Sequence, residues 1–271
     1  MISLTPENTL WGYNLLQNED NVTHFVTHRQ GGFSTKSGYE TFNLSPYSGD
    51  DDESVQQNKD LLFKSLKRKI NWFIQPIQTH QDTVRIIDED FLRLPSQKQK
   101  EQLYGVDALI TNIPHCCITV ATADCVPIMI YDSNNQVATV VHSGWRGTLL
   151  RIVERSIEQM NQHYNSLPKD LKVCLGPSIS LDAFEVGDEV YNAFKNENFE
   201  VDSFSYKKME TNKYHIDLWK CIEQSLEKMG VLKNQIEKSN VCTYNNHHDF
   251  FSARRLGIKS GRTISGMILN K

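Results

Sequence analysis

Two histidines and one cysteine, His80, Cys125 and His142, are the side chains of this sequence best suited to chemistry. Each lies beside a short apolar segment typical of a β-strand, so the three could meet at one sheet edge. Two imidazoles and one thiolate suit zinc, and three protein ligands leave a fourth position open for water or substrate. Alternatively, Cys125 is a thiolate nucleophile with His142 or His80 as its base. Because the positions are scattered along the chain, their spacing does not exclude purely structural histidines.

A glycine-containing turn at residues 141–147 follows an apolar strand and precedes a helical pattern. The first N–H groups of a helix lack partners and its N-terminal end is electropositive, so such a turn can hold an anion. Gly144 would let the backbone approach a ligand closely, and Arg146 offers a bidentate donor for phosphate or carboxylate. The alternative is an ordinary strand-to-helix turn with Arg146 on the surface. Neither a Walker loop nor a dinucleotide-binding glycine pattern occurs anywhere in the chain.

Further polar residues lie in turns that could contribute to a binding site. Arg29 belongs to a Gly-rich turn at residues 28–32 and could bind an anion, although a hairpin with a surface arginine explains it equally well. Asn43 follows this turn, and Gln78 lies two residues before His80. We count all three among the candidate binding residues. Near the C-terminus, one arginine of the pair at 254–255 is expected to face the site.

Several metal-dependent activities lack their sequence signatures. The nine histidines include no His-x-His pair, which argues against the clustered imidazoles of a copper oxidase. The zinc nucleobase deaminase signature and H-E-x-x-H are also absent. The six cysteines are too few for a disulfide scaffold and none has C-x-x-C spacing, so most are expected to be reduced thiols.

The elements that must position these residues follow a mixed α/β pattern. Short β-branched segments predict strands at 83–87, 108–111, 118–121, 126–131, 137–141, 172–175 and 263–269. Helical spacing of apolar residues predicts helices at 149–163 and 216–229, and one more between the acidic run at 50–53 and the basic run at 64–69. Residues 1–50 are expected to form a β-rich edge. Few glycines and prolines interrupt the chain, and no long linker divides it. This favours one domain, 1–271, of mixed sheets covered by helices.

The amino-acid composition limits the kinds of partner that this protein is expected to bind. The chain has 271 residues with 29 basic and 33 acidic side chains, a net charge of −4, so we expect no nucleic-acid partner. Its apolar runs are too short to span a bilayer, and no basic stretch followed by an apolar segment opens the chain. We therefore expect a cytoplasmic protein without membrane contact, and either a monomer or a homodimer.

The motifs together resemble the laccase-domain family, also called multicopper polyphenol oxidoreductase-like proteins and linked to purine nucleoside phosphorylase activity. The matching stretches are THRQGGFS at 27–34, QTH at 78–80, DALIT at 107–111, TADCVP at 122–127, HSGWRG at 142–147, LGPSI at 175–179, FEVG at 184–187, CTY at 242–244 and FFSARR at 250–255. The resemblance implies a layered, cysteine-hydrolase-like α/β fold. It also places the family's metal site, two histidines and one cysteine, on His80, Cys125 and His142. Gln81 stands where the family usually has glycine, and Ser143 where alanine is common.

The resemblance implies phosphorolysis of adenosine, inosine, guanosine and methylthioadenosine, with adenosine deamination as a further activity. Zinc is the implied cofactor in preference to copper, and purine nucleosides and phosphate are the implied partners. Asp124, beside Cys125, would orient a ligand or act as a general base, or would simply cap its turn. Two alternatives stay open: a Cys125-dependent hydrolase or peptidoglycan precursor-editing enzyme, and a non-catalytic zinc-containing nucleoside-binding protein.

Overall fold

Two six-stranded mixed β-sheets form the centre of the molecule in a computed structural model that describes residues 1–271. The first sheet has the strand order β1-β2-β3-β15-β7-β4. Its strands are β1 Ile2–Ser3, β2 Leu10–Gly12, β3 Val22–Thr27, β4 Trp72–Ile74, β7 Cys116–Thr122 and β15 Thr263–Leu269. The β-rich edge expected from residues 1–50 is confirmed for its first half, whereas residues 28–50 form turns and a single bridge, between Ser34 and Thr41.

The second sheet has the order β14-β10-β8-β9-β6-β5. It contains β5 Val84–Ile86, β6 Ala108–Thr111, β8 Val126–Asp132, β9 Val137–Ser143, β10 Leu171–Leu175 and β14 Ile236–Lys238. A small third sheet contains β11 Glu185–Val186, β12 Ser205–Lys208 and β13 Lys213–Ile216. The predicted central strands are confirmed with end shifts of one or two residues, because their β-branched, apolar segments are buried on both faces.

Nine α-helices cover the sheets. They are α1 Asn14–Gln17, α2 Asp52–Leu66, α3 Glu89–Arg93, α4 Ser96–Leu103, α5 Trp145–Leu149, α6 Ile152–Tyr164, α7 Asp188–Asn196, α8 Leu218–Met229 and α9 Ala253–Leu256. Short 3₁₀ turns lie at Pro168–Asp170, Val201–Ser203 and Lys233–Gln235. The helix predicted between the charge runs is confirmed as α2, where Asp51 caps the first turn by accepting from the Ser54 N–H at 2.9 Å. None of the helices combines the length and apolar character that crossing a bilayer requires.

The helix predicted at 149–163 is divided in the structure. A short helix, α5, begins at Trp145, and the chain then breaks at Arg151, whose φ of +62° is left-handed, before α6 begins. The spacing of apolar residues predicts α6 because this helix buries Ile152, Ile157 and Met160 on one face. The same pattern does not predict α5, whose five residues contain no apolar stripe.

Three hydrophobic cores make the fold a four-layer arrangement. One lies between the two sheets, where Val120 and Met267 of the first sheet share a cluster with Met129 of the second. Another lies between the second sheet and helices α6, α7 and α8. A smaller one packs α2, through Leu62, against the outer face of the first sheet. The expected layered α/β architecture is confirmed.

The chain crosses from the first sheet to the second at one end of this sandwich. The turn between β7 and β8 makes one crossing, and the segment between β4 and β5 makes another. In the sheet registers Thr263 pairs with Thr122 and Pro127 pairs with His142. Residues at strand ends that are far apart in sequence therefore meet where the sheets are joined.

Candidate active site

His80, Cys125 and His142 meet at this junction of the sheets. Their ligand atoms all lie within 4.8 Å of one another, and the two imidazole rings are 4.8 Å apart between centroids. His142 is buried on β9, Cys125 is half-buried in the β7–β8 turn, and His80 is exposed in the segment that follows β4. The strand-end placement thus brings together the three residues that the sequence analysis grouped.

A buried carboxylate, Asp107, holds two of these residues in place. One of its oxygens accepts the Nδ1 proton of His142 at 2.6 Å and the N–H of His80 at 3.1 Å. The other oxygen accepts the N–H groups of Thr79 and Gln81 at 3.2 and 2.8 Å. His80 has a left-handed φ of +63°, and the three converging N–H bonds stabilise that conformation. With Nδ1 committed to Asp107, His142 presents Nε2 to the site.

Cys125 and His142 each change the pKa of the other. Burial alone would raise the pKa of the Cys125 thiol, but the charges and hydrogen bonds of His142 and His80 lower this pKa to about 6. Burial would lower the pKa of His142, whereas the Cys125 thiolate and Asp107 raise it. The surroundings of Cys125 therefore favour the thiolate, which is the form that binds metals and attacks electrophiles.

Gly144 packs directly against this group. A Cβ added at this position would lie 2.8 Å from the Cys125 Sγ and 3.2 Å from the His80 Cδ2. Its φ of −77° is open to any residue, so contact, not backbone conformation, requires glycine here. The sequence analysis expected Gly144 to let the backbone approach a ligand. In the structure its lack of a side chain makes room for the side chains of Cys125 and His80.

Replacing Gly144 with alanine is expected to displace the Cys125 side chain and lower the affinity for a metal ion about 10-fold or more, since a shift of a few tenths of an ångström spoils a ligand set. Metal content per chain after dialysis against a graded chelator measures the effect. Gly147→Ala is the matched control, because the nearest atoms to a Cβ there are 3.4 Å away. Equal metal retention by both variants would contradict the steric role.

A cavity of about 710 Å³ opens beside the three residues. This volume falls within the range of about 300–1,000 Å³ common for small-molecule sites. Ten of the nineteen lining residues are hydrophobic. The lining consists of Ser45, Tyr47, Ser48, Pro76, Ile77, Gln78, His80, Ala121, Ala123, Asp124, Cys125, His142, Trp145, Ile179, Phe184, Ala253, Arg254, Ile258 and Arg262.

Asp124 lies in the cavity wall with both carboxylate oxygens engaged. One accepts the Thr243 hydroxyl proton at 2.6 Å and the other accepts the Arg254 N–H at 2.7 Å. The residue has a left-handed φ of +90°, a conformation that Asp tolerates better than most residues. These bonds tie the turn that carries Cys125 to the C-terminal segment, which supports an orienting role for Asp124.

Gln78 and Asn43 use their amide groups within the protein. The Gln78 amide exchanges two hydrogen bonds, of 2.8 and 2.9 Å, with the backbone of Ala121 on β7. The Asn43 side chain is fully buried, donates to Asp50 at 2.9 Å and accepts the N–H groups of Ser45 and Arg262. Gln78 lines the cavity, whereas Asn43 lies behind its wall.

The two arginines expected to bind an anion, Arg29 and Arg146, do not line the cavity. The Arg29 guanidinium donates to the carbonyl and carboxylate of Glu40 and to the carbonyl of His247, so its donors are used internally. Arg146 is exposed and its guanidinium lies 4.2 Å from the centre of the Trp145 ring. The helix that follows Gly144 is only five residues long, which weakens the expected helix-end contribution.

Sequence reasoning assigned no role to Asp107 or Arg262. Asp107 precedes the short strand β6, and nothing local distinguishes it from a turn-forming aspartate. The register that pairs Ala108 with Val141 puts it beside His142. Arg262 directly precedes β15 and lines the cavity. The sequence analysis had instead expected one arginine of the nearby pair, Arg254 and Arg255, to face the site. A buried strand preceded by a lone charged residue was the available signal in both cases.

The donor set fits a metal ion. It combines a thiolate with two imidazoles, at least one of which is fixed in tautomer by a carboxylate, as is usual for metal-ligating histidines. Because the three donor atoms are within 4.8 Å of one another, they are close enough to bind one ion together.

Comparison with known proteins identifies the family. The sequence model described as "Multi-copper polyphenol oxidoreductase laccase" matches residues 23–270. The chain belongs to this family. It is also 44% identical, over the full length of both chains, to a protein of Bacteroides thetaiotaomicron named purine nucleoside phosphorylase. A protein of an unknown prokaryotic organism named adenosine deaminase RL5 is 40% identical over 92% of this chain and 94% of its own.

Solved structures of the family share the fold. A hypothetical protein of Bacillus licheniformis called YfiH superimposes with a TM-score of 0.85 at 26% identity, covering 93% of this chain and 94% of its own. YlmD of Geobacillus stearothermophilus also has a TM-score of 0.85, at 23% identity, over 96% and 95% of the two chains. The resemblance inferred from the sequence motifs is therefore confirmed, as is the layered fold.

Proposed function

We propose that this chain is a zinc-dependent purine nucleoside phosphorylase. The observation that carries the proposal is the position of the His80, Cys125 and His142 group in the wall of a nucleoside-sized cavity. Full-length similarity to a relative named purine nucleoside phosphorylase supports the choice of reaction. Adenosine, inosine, guanosine and methylthioadenosine are the substrates to be compared.

Zinc suits this site better than a hard cation, and the single group of three ligands does not provide the several centres of a multicopper oxidase. One thiolate with two imidazoles is a familiar zinc ligand set, and magnesium or calcium would require oxygen ligands. His80, Cys125 and His142 would hold the ion and leave a position for a ligand. When bound, zinc would supply a positive charge that polarises an oxygen or nitrogen of the substrate.

The cavity walls suit a nucleoside. Tyr47, Trp145 and Phe184 offer aromatic faces, and Ile179 adds an apolar surface, so a purine can be buried with favourable stacking. Tyr47 is 51% exposed at the rim, where a ligand would cover it. Polar groups near the three metal-binding residues are left to meet the sugar and phosphate.

The reaction balances without a further co-reactant. An oxygen of hydrogen phosphate forms a bond to C1′ of the ribose, while the C1′–N9 bond breaks and its electron pair leaves on the purine. The proton of hydrogen phosphate ends on the purine, and ribose 1-phosphate is the other product. The protein must bind the anion, orient the sugar and stabilise charge on the departing base. Asp124 keeps the Cys125 turn in position while this happens.

A thiol hydrolase, such as a peptidoglycan precursor-editing enzyme, is the second candidate. A specific observation favours it, since Cys125, His142 and Asp107 are arranged as a nucleophile, a base and an orienting carboxylate. That arrangement assigns no task to His80, whose backbone adopts a left-handed φ beside the thiolate. The metal site uses all three residues, and for this reason we favour it. A zinc-containing protein that binds nucleosides without turnover is the third interpretation.

Product analysis tests the proposal. We expect zinc-loaded protein and adenosine to give adenine and ribose 1-phosphate only when phosphate is present, as measured by chromatography of bases and sugars. The double variant His80→Ala, Cys125→Ala, purified identically, controls for contaminating enzymes. Inosine formed without phosphate would assign the main activity to deamination, as the name of one relative suggests. Bound but unconverted nucleoside would favour the binding protein.

The hydrolase candidate predicts a different response to alkylation. If Cys125 binds zinc, iodoacetamide should modify it slowly in loaded protein and at least about 10-fold faster after chelation, because a metal-bound thiolate is shielded. Peptide mass analysis locates the modified cysteine. Equal rates in both states, with no purine product from any nucleoside, would favour the hydrolase.

A further inference from the structure

Arg262 is one of only two arginines that line the cavity, and the cavity contains no lysine. The other, Arg254, is exposed and its guanidinium donates to the carbonyl of Glu185 at 3.1 Å. Arg262 is half-buried and directly precedes β15, which pairs with β7 up to the turn of Cys125. The two arginines therefore differ in the exposure of their side chains.

The protein holds Arg262 through neutral groups alone. Its terminal nitrogens donate to the carbonyls of Ser260 at 2.6 Å, Gly261 at 2.9 Å and Ile258 at 3.1 Å. Three carbonyls fix the plane of the guanidinium but do not neutralise its charge. No carboxylate lies within salt-bridge distance of it, in contrast to Arg29, which pairs with Glu40 at 3.2 Å. The anions that act on Arg262, the Cys125 thiolate and the Asp124 carboxylate, do so through space and without an ion pair. An anion in the cavity can therefore still bind the half-buried guanidinium directly.

The fold directs Arg262 toward the metal-binding group. Thr263 pairs with Thr122 in the antiparallel register of β15 and β7, so the residue before Thr263 lies beside the residues after Thr122, the turn of Asp124 and Cys125. The Arg262 backbone N–H also donates to the Asn43 Oδ1 at 3.0 Å, and the same oxygen accepts the N–H of Ser45, another residue of the cavity lining. Asn43 is thus a positioning residue for Arg262.

We infer that Arg262 forms the phosphate subsite of this cavity. The inference rests on the proposed phosphorolysis, and it replaces Arg29 and Arg146 with an arginine that faces the reacting groups. A fixed guanidinium with free hydrogen-bonding capacity on one side suits a phosphate oxygen pair. Bound there, hydrogen phosphate lies in the same cavity as the Cys125 group, and its charge is balanced while an oxygen attacks C1′.

Replacement of Arg262 with glutamine is expected to raise the KM for phosphate about 10- to 100-fold, the range for a lost charge-assisted hydrogen-bonding pair. The KM for the nucleoside should change less than about 3-fold. Arg262→Lys should recover part of the affinity, because it restores the charge without the planar fork. Arg93→Gln, an exposed arginine of α3 outside the cavity, is the control for losing an arginine.

Calorimetric titration of inorganic phosphate into zinc-loaded protein, without nucleoside, gives a readout independent of turnover. Weaker binding by Arg262→Gln with an unchanged zinc content supports the inference. An unchanged phosphate affinity, or an equal loss in Arg146→Gln, overturns it, as does loss of zinc together with phosphate. Circular dichroism of each variant tests whether it is folded. If wild-type protein binds phosphate through Arg262 but forms no ribose 1-phosphate, the proposed function fails while the subsite stands.

Discussion

Cys125→Ala should abolish stoichiometric zinc binding and lower the rate of phosphorolysis at least about 1,000-fold. The thiolate is the only anionic ligand among the three, and His142 and His80 are arranged around it. Without it only two imidazoles remain, one of them exposed. Loss of a metal that stabilises developing charge costs several kcal/mol of transition-state stabilisation, which corresponds to a factor of that size. Zinc content per chain and kcat/KM measure the two effects.

A matched variant separates this effect from the loss of any buried thiol. Cys221 lies fully buried on α8 in the core beside the second sheet, away from the cavity lining. Cys221→Ala should cost about 1 kcal/mol of stability, from the cavity left behind, and should keep zinc and activity. Full activity in Cys125→Ala would refute the metal role and the nucleophile role together.

Asp107→Asn is expected to lower zinc affinity about 10- to 100-fold and the free energy of unfolding by about 3 kcal/mol. The carboxylate accepts four hydrogen bonds, three from consecutive backbone N–H groups and one from His142. An amide has one acceptor oxygen, and its NH2 group would face N–H donors. His80 would lose support for its left-handed backbone, and the tautomer of His142 would no longer be fixed. Competition with a chromogenic chelator and urea unfolding measure the two quantities.

Asp132 provides the comparison for Asp107. It is fully buried at the other end of β8, where its carboxylate accepts the N–H groups of Asn134 and Asn135. The seven residues of this strand span about 20 Å, so Asp132→Asn should lower stability without changing zinc affinity. If both variants lost zinc equally, the effect would come from general destabilisation, not from the bonds of Asp107.

The choice between metal chemistry and thiol chemistry depends on His80. A Cys–His–Asp arrangement would work with Cys125, His142 and Asp107 alone, and all three are in place. The protein nonetheless holds His80 beside the thiolate with three hydrogen bonds to the segment around it. A backbone conformation that costs free energy is maintained where the position of the side chain matters. This is why the proposed function assigns His80 to the metal.

Local sequence patterns were sufficient to predict the central strands and α2, and to group His80, Cys125 and His142 as candidates. The resemblance to the family, and not the spacing, then favoured a metal site over structural histidines. Each depends on neighbours in the chain: β-branched apolar segments produce strands, and polar residues at their ends lie at sheet edges. The roles of Asp107 and Arg262 depend instead on sheet registers that pair Ala108 with Val141 and Thr263 with Thr122.

The arginines show most directly what tertiary structure decided. Arg29 and Arg262 both lie in polar turns of the sequence, yet the first is satisfied by Glu40 and His247 while the second is held in the cavity wall by neutral oxygens alone. Whether a guanidinium finds a carboxylate or stays available to a ligand depends on residues up to 218 positions away. No periodicity encodes such a partner, because hydrogen bonds of this kind form only after distant segments have packed together. The sequence determined which groups could do chemistry, and packing selected the ones that face the cavity.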